Sequence, residues 1–282
     1  MTQPNSFTWS LHTHSEFCDG SGSLRDVTLA AMDRGLTDLG FSSHAPLPFD
    51  TSWNMPIGRL SAYAAEVRAL QVAFGDRLNL WLGAELDYIP SKTVATFQER
   101  SLVHDQFDYF VGSVHFLGDG DGYELDGTKA GFDAILAGEY GGNISAMVSD
   151  YYKRVAAVPF LPRVAVIGHF DLIKRWNAGR SYFTGEEDWY RRAVEQALGV
   201  IARSDVMVEL NTAGWRKGLG EPYPAPWILK RCRDLQIPVT VSADAHKPDQ
   251  LTWGYERAAE LLLELEIAPV NPATLIRRRQ EV

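Results

Sequence analysis

The sequence predicts an α/β fold, a parallel β/α barrel, on three observations. Seven short apolar or β-rich runs recur along the chain, helical patterns with an apolar face lie between them, and no low-complexity tract interrupts the alternation over 282 residues. Strand-helix-strand repeats put helices on the faces of a parallel sheet, and seven units are many for an open sheet, so closure into a barrel is expected. A chain of this length can bury one large core, so residues 1–282 are expected to form one domain.

The runs are Phe7 to Leu11, Thr37 to Ser42, Leu80 to Ala84, Asp108 to Ser113, Val164 to Gly168, Val206 to Leu210 and Pro238 to Ser242. After the first, Ser23-Leu24-Arg25-Asp26 opens a helix in the manner of a capping box, and Gly35 stops it. Arg59 to Phe74, Asn143 to Val158, Glu186 to Arg203, Ala225 to Leu235 and Gln250 to Leu265 also carry apolar residues at helical spacing. Residues 118–142 are rich in Gly and Asp and read as a loop inserted over one barrel face. Arg277-Arg278-Arg279 reads as the solvated end of a C-terminal helix, where cations suit the helix dipole.

Charge and composition narrow the function. A formal net charge of -9 argues against a protein that coats nucleic acid, whose affinity would come from Lys and Arg neutralising phosphates. The N-terminus lacks the pattern of a secretory signal, and no run approaches the roughly 20 apolar residues that span a bilayer. A cytoplasmic protein without a membrane partner is expected. Cys18 and Cys232 lie far apart without CxxC spacing and are expected to be inert, reduced thiols.

The histidines carry the chemistry. Six of seven, His12, His14, His44, His115, His169 and His246, fall within a few residues of a predicted strand end; His104 alone lies elsewhere and reads as a surface residue. In a parallel barrel the C-terminal strand ends meet at one mouth, so residues distant in sequence converge there. His12-x-His14, His169-x-Asp171 and Asp244-x-His246 each set two ligand-type side chains two apart on extended backbone, where alternate side chains point the same way. Asp19, in the glycine-flanked Cys18-Asp19-Gly20, and Glu85, directly after the third strand, extend the set. Six histidines with Asp19, Glu85 and Asp244 are too many for one ion; with Glu85 bridging through its two oxygens, two or three ions fit. Imidazole and carboxylate ligation suits Zn, Mn or Fe. Asp171 either orients His169 or is a further ligand. Trp53, Trp176 and Trp215 follow strand ends and are candidates for lining the pocket.

In this order, Leu11-His12-Thr13-His14-Ser15, Ser43-His44-Ala45-Pro46, Gly83-Ala84-Glu85, Gly112-Ser113-Val114-His115, Gly168-His169-Phe170-Asp171 and Ser242-Ala243-Asp244-Ala245-His246 resemble the polymerase and histidinol phosphatase (PHP) superfamily. The stretch Glu209-Leu210-Asn211-Thr212-Ala213-Gly214-Trp215-Arg216-Lys217, followed by Glu221-Pro222-Tyr223-Pro224, is similar to the histidinol-phosphate phosphatase branch. The resemblance implies a distorted seven-stranded β/α barrel holding three divalent metals. It places His12, His14, Glu85 and Asp244 around one ion, Glu85, His115 and His169 around the second, and Asp19, His44 and His246 around the third. It further implies that Lys174 or Arg175, together with Arg216, holds the phosphate. Ser43 is added to these as a substrate-binding candidate, and Glu85, His115, Asp244 and Asp171 stand at the reacting centre.

The expected activity is hydrolysis of a small phosphomonoester, L-histidinol phosphate, by a hydroxide bridging two metals, with the third ion and Arg216 clamping the phosphoryl oxygens. Metal charge offsets the acidity of the chain. Asp119, Asp121, Glu124 and Asp126 are possible partners for the substrate's cationic imidazole and amine, against a reading of them as solvated loop charges. The same residues allow three alternatives: another small phosphomonoester or a phosphodiester as substrate, an amidohydrolase-type barrel, and a degenerate, non-catalytic module. An amidohydrolase would want a bridging lysine where Ser113-Val114-His115 stands, and a degenerate module should have lost ligands.

Overall fold

The computed structural model describes residues 7–102, 107–118 and 124–281. His104, Asp119 and Asp121 lie outside the described residues. Seven parallel strands stand side by side in chain order: β1 (Trp9–Ser10), β2 (Asp38–Phe41), β3 (Asn79–Asp87), β4 (Tyr109–Ser113), β5 (Val164–Ile167), β6 (Met207–Asn211) and β7 (Val239–Ser242). The seven expected runs thus become the seven strands. Around them lie α1 (Leu24–Asp33), α2 (Leu60–Phe74), α3 (Lys92–Ser101), α4 (Lys129–Gly138), α5 (Ile144–Ala157), α6 (Asp188–Ile201), α7 (Ala213–Arg216), α8 (Pro226–Asp234), α9 (Tyr255–Glu264) and α10 (Pro272–Gln280). Among the described residues no helix is long and apolar enough to cross a membrane.

Closure is uneven. At the mouth the chain beyond β1 meets the chain beyond β7 through a parallel bridge between Thr13 and Ala245, with His14 N–H donating to the Ala245 carbonyl at 2.8 Å. The barrel is therefore sealed at the end where the histidines cluster, and β1 itself pairs with β2 over only two residues.

Strand alternation sorts the residues of β3. Leu80, Leu82, Ala84 and Leu86 pack against the outer helices, whereas Trp81 and Glu85 face the interior. Trp81, Leu11, Tyr109, Val111, Val166 and Met207 fill the lower barrel, and Ala273, Leu275 and Ile276 of α10 close its floor. Tyr109 fits because Gly40 and Gly83 leave room: a Cβ on Gly83 would lie 2.4 Å from the Tyr109 ring. The Tyr109 hydroxyl donates to the Leu11 carbonyl at 2.7 Å, tying the floor to the residue that precedes His12.

Three expectations need correction. The third strand runs on to Asp87, because pairing with β4 extends from Gly83 to Asp87; Glu85 is inside the strand, not after it. Segment 118–142 is not all loop: Thr128 caps α4 by accepting from Gly131 N–H. The C-terminal arginines are not all solvated. Arg277 pairs with buried Asp38 at 2.6 Å and Arg279 with Asp205 at 2.8 Å, so they fasten α10 beneath the barrel.

Candidate metal centre

Glu85 stands at the centre of the mouth, 1% exposed, with five imidazoles around its carboxylate. Its Oε2 lies 3.2 Å from His12 Nε2, 3.4 Å from His14 Nε2 and 3.1 Å from His44 Nδ1. Its Oε1 lies 2.9 Å from His169 Nε2 and 3.6 Å from His115 Nε2, and accepts from Ser113 Oγ at 2.5 Å. One carboxylate thus presents each oxygen to a different set of histidines, the arrangement a bridging ligand needs.

Asp244 and Asp19 extend the cluster outward. Asp244 Oδ1 is 3.2 Å from His14 Nε2 and 3.7 Å from His12 Nε2. Asp19 Oδ2 is 3.2 Å from His246 Nε2, and its Oδ1 is 3.8 Å from both His44 Nε2 and His14 Nδ1. Asp19 reaches this place because its loop folds back on itself, with Glu16 N–H donating to the Gly22 carbonyl. Gly20 is required there, since a Cβ would lie 2.5 Å from the Ser15 nitrogen. Asp244 has φ 50, a left-handed conformation that Asp tolerates. Arg216 holds that turn, its guanidinium donating to the carbonyls of Ala243 at 2.9 Å and Asp244 at 2.8 Å.

Two further carboxylates lie behind the imidazoles. Glu209 accepts from His12 Nδ1 at 3.0 Å, His169 N–H at 2.7 Å, Asn211 Nδ2 at 2.7 Å and Ser242 Oγ at 2.6 Å. Asp87 accepts from both the backbone N–H and Nδ1 of His115, at 3.0 and 2.8 Å. A carboxylate only accepts, so each keeps a proton on its partner's Nδ1 and directs Nε2 inward, as the atom an ion would take. Neither residue was among the sequence candidates. The signal was present in Glu85-x-Asp87 and Glu209-x-Asn211, pairs two apart on one strand.

The donor set fits divalent cations. Nε2 of His12 and His14, Nδ1 of His44 and Nδ1 of His169 are buried without hydrogen-bond partners, and the first three lie within 3.4 Å of Glu85. Buried nitrogens of this kind are costly unless something accepts their lone pairs. Four ligand groupings have their donor atoms within 4.8 Å of one another: His14 with Asp19, His44 and His246; His12 with His169 and Asp244; His12 with His14 and Glu85; and His44 with Glu85 and His115. Electrostatics record the crowding. Burial lowers the pKa of His12, but Glu209, Glu85 and Asp244 outweigh it and raise it well above the usual imidazole range. Burial likewise opposes ionisation of Glu85, yet His12, His44 and His115 hold it well below the carboxylate range.

The PHP domain model matches residues 10–213, which span β1 to the start of α7. The chain belongs to the PHP family. A "Probable histidinol-phosphatase" of Deinococcus radiodurans is 32% identical over 276 residues, covering 96% of each chain. The histidinol-phosphatase of Bacillus subtilis is 26% identical and covers 88% of this chain and 97% of its own. Among solved structures, the histidinol phosphate phosphatase of Lactococcus lactis, complexed with zinc, L-histidinol and phosphate, superposes with a TM-score of 0.68 at 20% identity, over 93% of this chain and 95% of its own.

The PHP mouth gathers all nine sequence-chosen ligands, whereas the candidates for phosphate binding disperse. Asp171 does not touch His169: its Oδ2 accepts from Ala225 N–H at 2.9 Å and pairs with Lys174 at 2.7 Å. Lys174 is also paired with Glu221 at 2.5 Å, and it borders a separate cavity of about 520 Å³ to which no metal-ligand candidate contributes. Arg175 lies over the Trp176 ring at 4.3 Å. Ser43 is buried against Ser15, their hydroxyls 2.9 Å apart. Arg216 is engaged with the two carbonyls already described. The cation that does line the metal pocket, a cavity of about 140 Å³, is Lys217, one residue beyond the expected one. Trp53 lines this pocket too, Trp176 donates to the Leu125 carbonyl at 3.1 Å, and Trp215 lies under Arg257 at 4.4 Å.

Proposed function

We propose that this chain is a metal-dependent phosphomonoesterase that hydrolyses L-histidinol phosphate to L-histidinol and phosphate. The single observation that carries the chemistry is Glu85, whose two buried oxygens face different sets of imidazoles, with the inward nitrogens of His12, His14 and His44 on the Oε2 side lacking hydrogen-bond partners. The substrate name is supported by full-length similarity to histidinol-phosphatases.

Three ions are proposed. His12, His14, Glu85 and Asp244 would hold one, Glu85, His115 and His169 a second, and Asp19, His44 and His246 a third. Divalent ions held there would supply positive charge for a phosphate dianion and would make a water molecule more acidic. The protein's own groups do the rest. Glu209 and Asp87 keep His12 and His115 in the tautomer that aims Nε2 inward. Arg216 holds the carbonyls of Ala243 and Asp244, fixing the Asp244 carboxylate over the mouth. Lys217, which lines the same cavity, would meet the phosphoryl oxygens as a point charge.

The test is phosphate release from L-histidinol phosphate, compared with other sugar and amino-alcohol phosphates and with a diester, with and without chelator. Chelator-sensitive turnover with histidinol phosphate as the preferred substrate is the expected result. Fast cleavage of another compound beside poor turnover of histidinol phosphate would remove the substrate name; no turnover of any ester by metal-loaded protein would remove the activity.

A further inference from the structure

The larger cavity, of about 520 Å³, lies between the segment that follows β5 and the segment that follows β6. Its size falls within the range of about 300–1,000 Å³ usual for small-molecule sites. One of its buried lining residues is charged. The Lys174 ammonium meets Asp171 Oδ2 at 2.7 Å and Glu221 Oε1 at 2.5 Å. An ammonium has three N–H groups, so one donor is left for an occupant. Glu221 also lines the cavity, and its Oε2 takes no hydrogen bond among the described residues. Two carboxylates against one ammonium leave an excess of negative charge at this end.

A free cation lines the same cavity. Arg180 is exposed, and its guanidinium has no ion pair, hydrogen bond or ring contact among the described residues. Its backbone has φ 61, a left-handed conformation that arginine seldom adopts, and its N–H holds the turn by donating to the Asn177 carbonyl at 2.9 Å. Glu186, the remaining ionic group of the lining, is already paired with Arg191 at 2.7 Å. The apolar part of the lining is largely aromatic. Phe183 and Tyr190 have ring centroids 5.0 Å apart, and those of Tyr190 and Trp227 are 5.9 Å apart.

We infer that this cavity is a second, non-catalytic binding site for a free α-amino acid with an aromatic side chain. The carboxylate would meet Arg180 and the spare N–H of Lys174, the ammonium would meet Glu221, and the ring would pack on Phe183, Tyr190 and Trp227. A simple anion is disfavoured by Glu221 and Asp171, and a simple cation leaves Arg180 without a partner. A zwitterion answers both charges, and a guanidinium fork suits a carboxylate through two parallel hydrogen bonds. The cavity shares no lining residue with the metal pocket, so the inference stands whether or not the chain is a phosphomonoesterase.

The test is calorimetric titration of metal-loaded full-length protein with L-phenylalanine and two truncated analogues: phenethylamine, which lacks the carboxylate, and hydrocinnamate, which lacks the amine. L-Phenylalanine should bind saturably, and each analogue at least about tenfold more weakly, the effect of losing one charge-assisted contact. Arg180→Gln should weaken L-phenylalanine about tenfold and leave phenethylamine unchanged, whereas Glu221→Gln should weaken L-phenylalanine similarly and leave hydrocinnamate unchanged. Arg180 is exposed, so its replacement leaves the fold intact; circular dichroism checks Glu221→Gln. Saturating inorganic phosphate, which occupies the metal centre, should not displace L-phenylalanine. No saturable binding of L-phenylalanine, equal binding of the three compounds, unchanged affinity in Arg180→Gln, or displacement by phosphate would overturn the inference.

Discussion

At the scale of single residues, the centre depends on groups that touch no substrate. Glu209 takes four hydrogen bonds in full burial, from two metal-ligand candidates and two neighbours, so replacing it by Gln removes the anion that holds His12 in one tautomer. Glu209→Gln should weaken metal binding by about 10- to 100-fold in a chelator competition, with little change in the far-UV spectrum. Glu85→Ala should do more, emptying two positions at once; unchanged metal content would contradict its bridging role. Cys232 offers a prediction away from the site. Burial pushes its thiol up to about 12, from an ordinary value of 9.0, so the folded state keeps the proton that the unfolded chain releases. The stability this contributes is complete below about 9 and is lost as pH rises toward 12. Unfolding free energy should therefore fall with pH more steeply above 9 in the wild type than in Cys232→Ala. The native thiol should also resist alkylation at neutral pH.

At the scale of elements, the mouth is held in place from below. Tyr109 of β4 occupies the space left by Gly40 of β2 and Gly83 of β3, and its hydroxyl anchors the Leu11 carbonyl next to His12. Gly83→Ala forces a methyl into the ring and should cost about 1–3 kcal/mol, measured by denaturant unfolding. Helix α10 closes the floor through Arg277 and Asp38. Arg277 is 43% exposed, so the pair is worth less than a buried one, and Arg277→Ala should cost only about 1 kcal/mol. A loss of several kcal/mol would mean that α10 contributes through more than this contact.

At the scale of the whole molecule, the barrel brings together carboxylates and imidazoles from six strand ends, and that assembly exists only in the folded state. Ions that bind it stabilise the fold by mass action, whereas the unfolded chain offers the same ligands dispersed. Chelator treatment should abolish phosphatase activity and lower the melting temperature, and adding back zinc or manganese should restore both. A melting temperature indifferent to chelator would mean that the ligands do not share ions.

The gathering of strand-end histidines was legible from sequence because the parallel order of the strands brings their C-terminal ends to one mouth, whereas the expected extended backbone fails at His169 (φ 22) and Asp244 (φ 50), and Asp171 turns to Lys174. The seven strands and the nine ligand candidates therefore needed no coordinates. Which cation faces the ligand pocket was not legible, since neighbouring residues on a short helix point in different directions: Arg216 turns to the carbonyls of Ala243 and Asp244, and Lys217 to the cavity. Lys174 turns away for a reason equally remote in sequence, the carboxylate of Glu221. The reach of β3 to Asp87, the placement of Glu209 behind His12 and the fastening of Glu124 against Trp53 each depend on a partner far along the chain. Local pattern sets which side of a strand a residue occupies; only packing decides which distant group it meets there.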